Sequence, residues 1–199
     1  FTAFMDFTQA YDHVDRKALW NHLKSIRMPD YMRLTIEAMY EEDSYTLVDG
    51  LKSTQPLHPL KGVKQGCPLS PLLFALFIND FPGISFEEHG VHVQRINRSV
   101  SHLFYADDLC LMSRTAEGLQ SMLVELEKYS RWKGLTVNAA KSKVVVFNSR
   151  NVDQSFRYQE STLIEVLDEF KYLGVNFHKD GKMWHADKQW SGALVGSIM

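Results

Sequence analysis

Within residues 103–111, LFYADDLCL, two adjacent carboxylates, Asp107 and Asp108, interrupt an apolar run of the kind that forms buried β-structure. Unpaired charge is strongly disfavoured in an interior. A fold that accommodates this stretch must therefore turn the pair outward, protonate it, or neutralise it with something the chain does not contain. Two apolar arms around a charged pair describe a tight β-hairpin with the carboxylates at its tip. A second apolar run, FTAFMDF at residues 1–7, contains another carboxylate, Asp6. Three carboxylates at one edge of a sheet would repel, and desolvation would return their protons unless cations intervened. Hard divalent ions favour such an oxygen-only environment and keep positions open for phosphate oxygens and water. Paired metal ions held this way serve in-line displacement at phosphorus. Taken alone, an Asp-Asp pair in a hairpin is commonly just a solvated turn, and on the pair alone that is the favoured reading.

The chain has 199 residues, 45% of them hydrophobic and 12% aromatic, which is enough to bury a sizeable core in one globular unit. A formal net charge of −2 argues against a simple basic module that coats nucleic acid, and leaves room for local basic patches. No secretory signal and no apolar run of membrane-spanning length is present, so the expectation is a soluble intracellular protein, nuclear or cytoplasmic, with no membrane partner. Cys67 and Cys110 lack metal-site spacing and are expected as free thiols. Because residue 1 already lies in a strand-like run, the chain reads as a piece of something longer.

The periodicity predicts a helix with Leu19, Leu23 and Ile26 on its apolar side, and a second with Met32, Ile36, Met39 and Tyr40 on one face. Asp49-Gly50 marks a hairpin turn. Residues 69–81 are apolar enough for a buried helix with Pro71 in its first turn. A glycine-containing connection is expected at 82–90. Leu119, Met122, Leu123, Leu126, Tyr129 and Trp132 form the clearest amphipathic stripe. Strands are expected at SKVVVFN and EFKYLGVNF, with a polar loop at 149–161 between them. The sum is an α+β domain with helices on one face of a largely antiparallel sheet.

Five segments in order, FMDFTQAYD (4–12), GVKQGCPLSPLLFALFIND (62–80), FYADDL (104–109), GLTVNAAKSK (134–143) and FKYLGV (170–175), resemble motifs A to E of reverse transcriptases. Their wording is closest to the non-LTR, LINE-type retrotransposon branch, with a group II intron-type or other cellular reverse transcriptase as the alternative. The resemblance implies a polymerase palm, a ferredoxin-like antiparallel sheet with helices on one face, over residues 1–177, and the start of a thumb over 178–199. It implies RNA-directed DNA polymerase activity: two Mg²⁺ ions, with Mn²⁺ as an alternative, assist attack of a DNA primer 3′-hydroxyl on a dNTP, templated by RNA. Asp6 and Asp107 would be the principal metal ligands, with Asp108 a supporting acid and the Phe7 carbonyl a further ligand. Tyr11 would stack under the deoxyribose, and Gln65 and Gly66 would face the nascent base pair. Asp12 would support the fold rather than the chemistry. Lys141 would protonate or neutralise the leaving pyrophosphate. Tyr105, Ala106, Lys171, Leu173 and Gly174 would lie along the primer. Fingers, thumb and endonuclease regions of a parent polyprotein would complete the machine, so the isolated chain is expected to be incomplete for processive synthesis. The competing expectation is an inactive or co-opted retroelement remnant that binds nucleic acid or protein.

Overall fold

The computed structural model describes residues 1–81, 86, 88–148 and 154–181. The expected connection at 82–90 falls partly outside them, and so does the expected thumb start from residue 182 onward. The chain divides into two compact units. The first comprises residues 1–8, 82–132 and 136–199, and the second comprises 9–81 with 133–135.

In the first unit, β1 (Thr2–Met5) is a central strand, and all four of its residues are buried. It runs antiparallel to β7 (Asp108–Met112) on one side and to β8 (Lys143–Val145) on the other. Beyond β7 lies β6 (His102–Tyr105), and beyond β8 come β10 (Thr162–Leu167) and β9 (Phe156–Gln159). The β8–β10 pair is the parallel one in an otherwise antiparallel sheet. Period-two alternation assigns each residue of β1 to a face. Ala3 and Met5, with their partners Leu111, Leu109 and Val144, are fully buried. The stripe Leu119, Met122, Leu123 and Leu126 of the long helix Ala116–Lys133 is fully buried as well, and these two surfaces supply the core. Gln120 of that helix fastens it to β9, donating to the Arg157 carbonyl at 2.8 Å and accepting the Arg157 N–H at 2.9 Å. Among its described residues the unit also has two small hairpins: β4 (Val91–Val93) with β5 (Arg98–Val100), and β11 (Glu169–Tyr172) with β12 (Val175–His178).

The second unit is mainly helical. Helix α1 (Arg16–Ser25) is capped by Asp15, whose carboxylate accepts the Ala18 N–H at 2.9 Å. It buries Leu19 and Leu23. Helix α2 (Asp30–Glu41) starts directly after Pro29, and α3 (Ser70–Ile78) carries Pro71 in its first turn. The turn at Asp49-Gly50 joins β2 (Val48–Asp49) to β3 (Lys52–Ser53), as expected, with Gly50 in the left-handed region at φ +61°. Arg16 ties these pieces together by donating to the carbonyls of Pro59 at 2.7 Å, Gly62 at 2.8 Å and Tyr40 at 3.1 Å. The helix Ala116–Lys133 is α4 in chain order.

Four sequence expectations require correction. The polar segment at 149–161 contains strand β9, in which Phe156 and Tyr158 are buried and Arg157 and Gln159 are exposed, a two-residue period too short to stand out among polar neighbours. On α2 only Tyr40 is buried, under an edge-on ring contact to Trp20 and the cations of Arg16 and Lys64, whereas Met32 and Met39 are exposed. Ile26 lies one residue past α1 and is exposed. Leu103 and Trp132 are also exposed, the first on the edge strand β6 and the second near the end of α4. Among the described residues, no helix is long and apolar enough to cross a membrane.

Candidate active site

The site grows from the alternation of β1. Phe4 and, one pleat further on, Asp6 share the face opposite Met5. The register pairs Phe4 with Cys110 on β7 and with Lys143 on β8, so Asp108, two residues before Cys110, belongs to the same face. On this face the hairpin β11–β12 lays three aromatic rings against Phe4: Phe170 at 5.2 Å, Tyr172 at 4.8 Å and Phe177 at 5.5 Å between centroids. Cys110 and Val145 complete the buried cluster, and burial pushes the Cys110 thiol up to about 12. Beside the aromatic cluster opens a cleft of about 410 Å³. Asp6, Asp108, Lys141, Lys143, Lys171 and Leu173 contribute to its walls. Motifs that lie far apart in sequence thus meet in one concavity of the first unit.

Asp6 is fixed through its backbone. Its N–H donates to the Ser142 hydroxyl at 3.1 Å, and its carbonyl accepts the Asn138 N–H at 2.8 Å. The same hydroxyl, fully buried, donates to the Asn138 carbonyl at 2.8 Å. Asn138 and Ser142 therefore hold the strand end that carries Asp6. Sequence reasoning assigned them no role, since nothing in NAAKSK distinguishes a buried serine from an exposed one. The neighbouring Phe7 is buried and bridges to Val137, so its backbone is set by the same segment.

Asp107 and Asp108 stand at the hairpin tip, as expected. Tyr105 pairs with Asp108, and the turn between them puts Ala106 at φ +54°, a conformation that costs an alanine free energy. Tyr105 is exposed. The carboxyls respond to their surroundings. Burial raises the Asp108 carboxyl above its ordinary range, and repulsion from Asp107 and Asp6 adds to it. Burial also raises Asp6; Lys141 opposes this and Asp107 reinforces it. The Lys141 ammonium lies 3.9 Å from Asp6 Oδ2 on a side chain that is 71% exposed, whereas Lys143 is held 3.0 Å from Glu165. Of the two lysines in this stretch, Lys141 is the one directed at the carboxylates. The Tyr172 hydroxyl is raised too, by burial first and then by the negative groups near it.

The remaining sequence-predicted residues of the first unit lie on the β11–β12 hairpin. Lys171 is exposed, and the turn Leu173-Gly174 has both residues left-handed, at φ +48° and +82°. This is the two-residue geometry that matches strand twist, at a strain cost for leucine.

Tyr11, Gln65 and Gly66 lie in the second unit. Tyr11 stacks on Phe74 at 4.9 Å with 12° between the rings. Gly66 is left-handed at φ +79°. The Gln65 amide donates to the Asp12 carboxylate, at 2.9 Å to Oδ1 and 3.1 Å to Oδ2.

Asp6, Asp107 and Asp108 offer oxygen donors only, and their mutual repulsion is the kind that a hard cation relieves. In donor type and charge the residues fit a divalent ion. Among the described residues, no three His, Cys, Asp or Glu side chains are drawn around a single point.

A family model described as reverse transcriptase (RNA-dependent DNA polymerase) matches residues 1–177. The chain belongs to the reverse transcriptase family. It is 29% identical over 192 residues to the retrovirus-related Pol polyprotein from type-2 retrotransposable element R2DM of Drosophila melanogaster, a match covering 92% of this chain and 18% of that protein. It is 28% identical over 185 residues to the RNA-directed DNA polymerase from mobile element jockey of the same fly, covering 89% and 19%. These are relatives from the non-LTR, LINE-like branch that the motif wording indicated. This reverse transcriptase chain spans less than a fifth of the length of either relative. Apo telomerase from Candida tropicalis, truncated from its C-terminal domain, superposes with a TM-score of 0.61 at 13% identity, over 89% of this chain and 33% of that one. That likeness concerns the fold, and it bears out the polymerase palm expected from the sequence.

Proposed function

We propose that the chain carries the catalytic palm of an RNA-directed DNA polymerase of a non-LTR retrotransposon, with residues 1–177 as the palm and 178–199 as the start of a thumb. One observation above all supports this: Asp6, Asp108, Lys141 and Lys171, from four separate motifs, share one cleft. Its ligands would be an RNA template, a DNA primer and a dNTP, with fingers, thumb and endonuclease regions supplied elsewhere in a longer protein. Asp6, Asp107 and Asp108, with the Phe7 carbonyl, would hold two divalent ions, Mg²⁺ by preference, which lower the cost of deprotonating the primer hydroxyl and of releasing pyrophosphate. Lys141, whose Nζ lies 3.9 Å from Asp6 Oδ2, would pass a proton from that atom to the leaving pyrophosphate. Lys171, at the edge of the cleft, would neutralise a primer phosphate, while Leu173, Gly174, Tyr105 and Ala106 shape the path of the primer end. Tyr11 would lie against the sugar of the incoming nucleotide, its ring braced by Phe74, and Gln65 and Gly66 would face the new base pair.

The test is RNA-templated primer extension by the longest protein that carries this sequence, comparing wild type with Asp6→Asn and Asp107→Asn. Both variants should lose at least about a thousandfold in rate, the scale of removing a charge that stabilises the transition state. Their thermal midpoints should be at or above that of the wild type. Extension at the wild-type rate by either variant refutes the assignment.

A further inference from the structure

The second unit contains a constraint on Gln65 that the motif resemblance does not explain. Gly62 is left-handed at φ +85°, and a Cβ placed there would sit 3.0 Å from the Asp12 carbonyl oxygen and 3.1 Å from its Cα. Two backbone bonds close on either side of this contact. The Gly62 N–H donates to the Val14 carbonyl at 2.8 Å, and the Val63 N–H donates to the Tyr11 carbonyl at 2.8 Å. Asp12 is fixed in turn by its own N–H, which donates to the Gln9 carbonyl at 3.0 Å. The chain on both sides of Asp12 is thereby locked against the segment that leads into Gln65. At that point the Gln65 amide nitrogen meets both Asp12 carboxylate oxygens.

An ionised carboxylate can only accept hydrogen bonds, so the NH₂ end of Gln65 must face Asp12 and the carbonyl end must face away. Left free, an exposed glutamine amide offers a donor or an acceptor with equal ease. Held by Asp12, it offers an acceptor. We infer that Asp12 is a positioning residue that fixes Gln65 as an acceptor, so that Oε1 reads a hydroxyl or amino donor on a nucleotide at the polymerase site. This rests on the function proposed above for Gln65, and it changes the role expected of Asp12 from fold support to control of one specificity contact.

Two measurements test it. In the 199-residue chain, side-chain ¹⁵N relaxation of the Gln65 NH₂ should show an amide more ordered than that of Gln94, which is also exposed, and Asp12→Ala should make the two equally mobile. Equal mobility of Gln65 and Gln94 in the wild type overturns the inference. In the longest active protein carrying the sequence, Asp12→Ala and Gln65→Ala should each raise KM for dNTP about three- to tenfold, the scale of one hydrogen bond, with kcat within about twofold. The double variant should be no worse than either single one. Additive effects, or a fall in kcat at unchanged KM, overturn it. Asp12→Asn should also raise KM for dNTP, by less than Asp12→Ala, since an asparagine can both donate and accept and so lets Gln65 reverse. Should the wild type fail to extend an RNA-templated primer, the proposed polymerase function fails on that result, and the relaxation measurement still decides the Asp12–Gln65 pairing.

Discussion

Phe4 joins the structural and chemical halves of the first unit, and shortening it should separate them. The side chain is 3% exposed and meets three rings of the β11–β12 hairpin, tilted 35° to 43° from its own plane. Phenylalanine to alanine in such a position costs about 3–5 kcal/mol, a large part of the roughly 5–15 kcal/mol that holds an ordinary domain together. Leucine is the more informative replacement. It keeps most of the apolar area and the β1 register but removes the ring-on-ring geometry, worth about 0.5–1.5 kcal/mol per pair and shared among three pairs. The expected loss for Phe4→Leu is about 2 kcal/mol in urea unfolding. Native-state hydrogen exchange should distribute that loss unevenly. Amides of Glu169–Tyr172 and Val175–His178 should exchange about thirtyfold faster, the equivalent of 2 kcal/mol in local opening, while Leu109 and Leu111 on β7 keep most of their protection. If the hairpin keeps its protection while β1 and β7 lose theirs equally, Phe4 is not what seats the hairpin. The explanation of how Lys171 and Leu173 reach the cleft wall would then be wrong.

Gly62→Ala should destabilise the fold by about 2 kcal/mol or more in urea unfolding, since it combines the cost of a left-handed alanine with a Cβ forced against the Asp12 carbonyl; a loss below about 0.5 kcal/mol would show that the loop gives way freely. Asp108→Asn should stabilise the protein at neutral pH in the absence of divalent ions. The folded state raises this carboxyl, so its contribution is most favourable below the unfolded value and declines as pH rises through the carboxylate range towards the folded value. The stability gap between Asp108→Asn and wild type should therefore widen with rising pH across that range and narrow when Mg²⁺ is added. A gap independent of pH would contradict the environment described for Asp108.

The parts of the fold that were legible in the sequence are those in which one residue type carries the whole signal. Asp49-Gly50 specified a turn, Pro71 a helix start, and the stripe from Leu119 to Leu126 a buried helical face. The paired carboxylates of LFYADDLCL announced a hairpin tip because an apolar arm flanks them on either side. What remained hidden depended on neighbours. Strand β9 exists because β10 pairs with it and α4 grips it through Gln120, and neither partner is visible in the wording of 156–159. Met32 and Met39 have helical spacing towards a core, yet α2 buries only Tyr40, whose ring the Arg16 and Lys64 side chains cover. At the site, the motif aspartates were legible and their supports were not. Ser142 is recognisable as the anchor of Asp6 only once its hydroxyl is seen between Asp6 and Asn138.

The same alternation that makes β1 a core strand also makes the site electrostatically strained. Met5, Leu109, Leu111 and Val144 bury one face of the three central strands completely, so the sheet cannot relax to move its charges apart. The other face carries Asp6 and Asp108 beside an aromatic cluster, and burial and like charge both push their protons back on. Lys141 offsets this at Asp6 from an exposed side chain, a cation that can leave without disturbing the core. A site organised this way holds its carboxylates in place with packing on one side while leaving their charge incompletely balanced on the other. That imbalance is what an incoming cation, with the phosphates it brings, would correct. The stabilisation expected from Asp108→Asn follows directly, since burial and the repulsion of Asp107 and Asp6 both disfavour the Asp108 charge in the folded state.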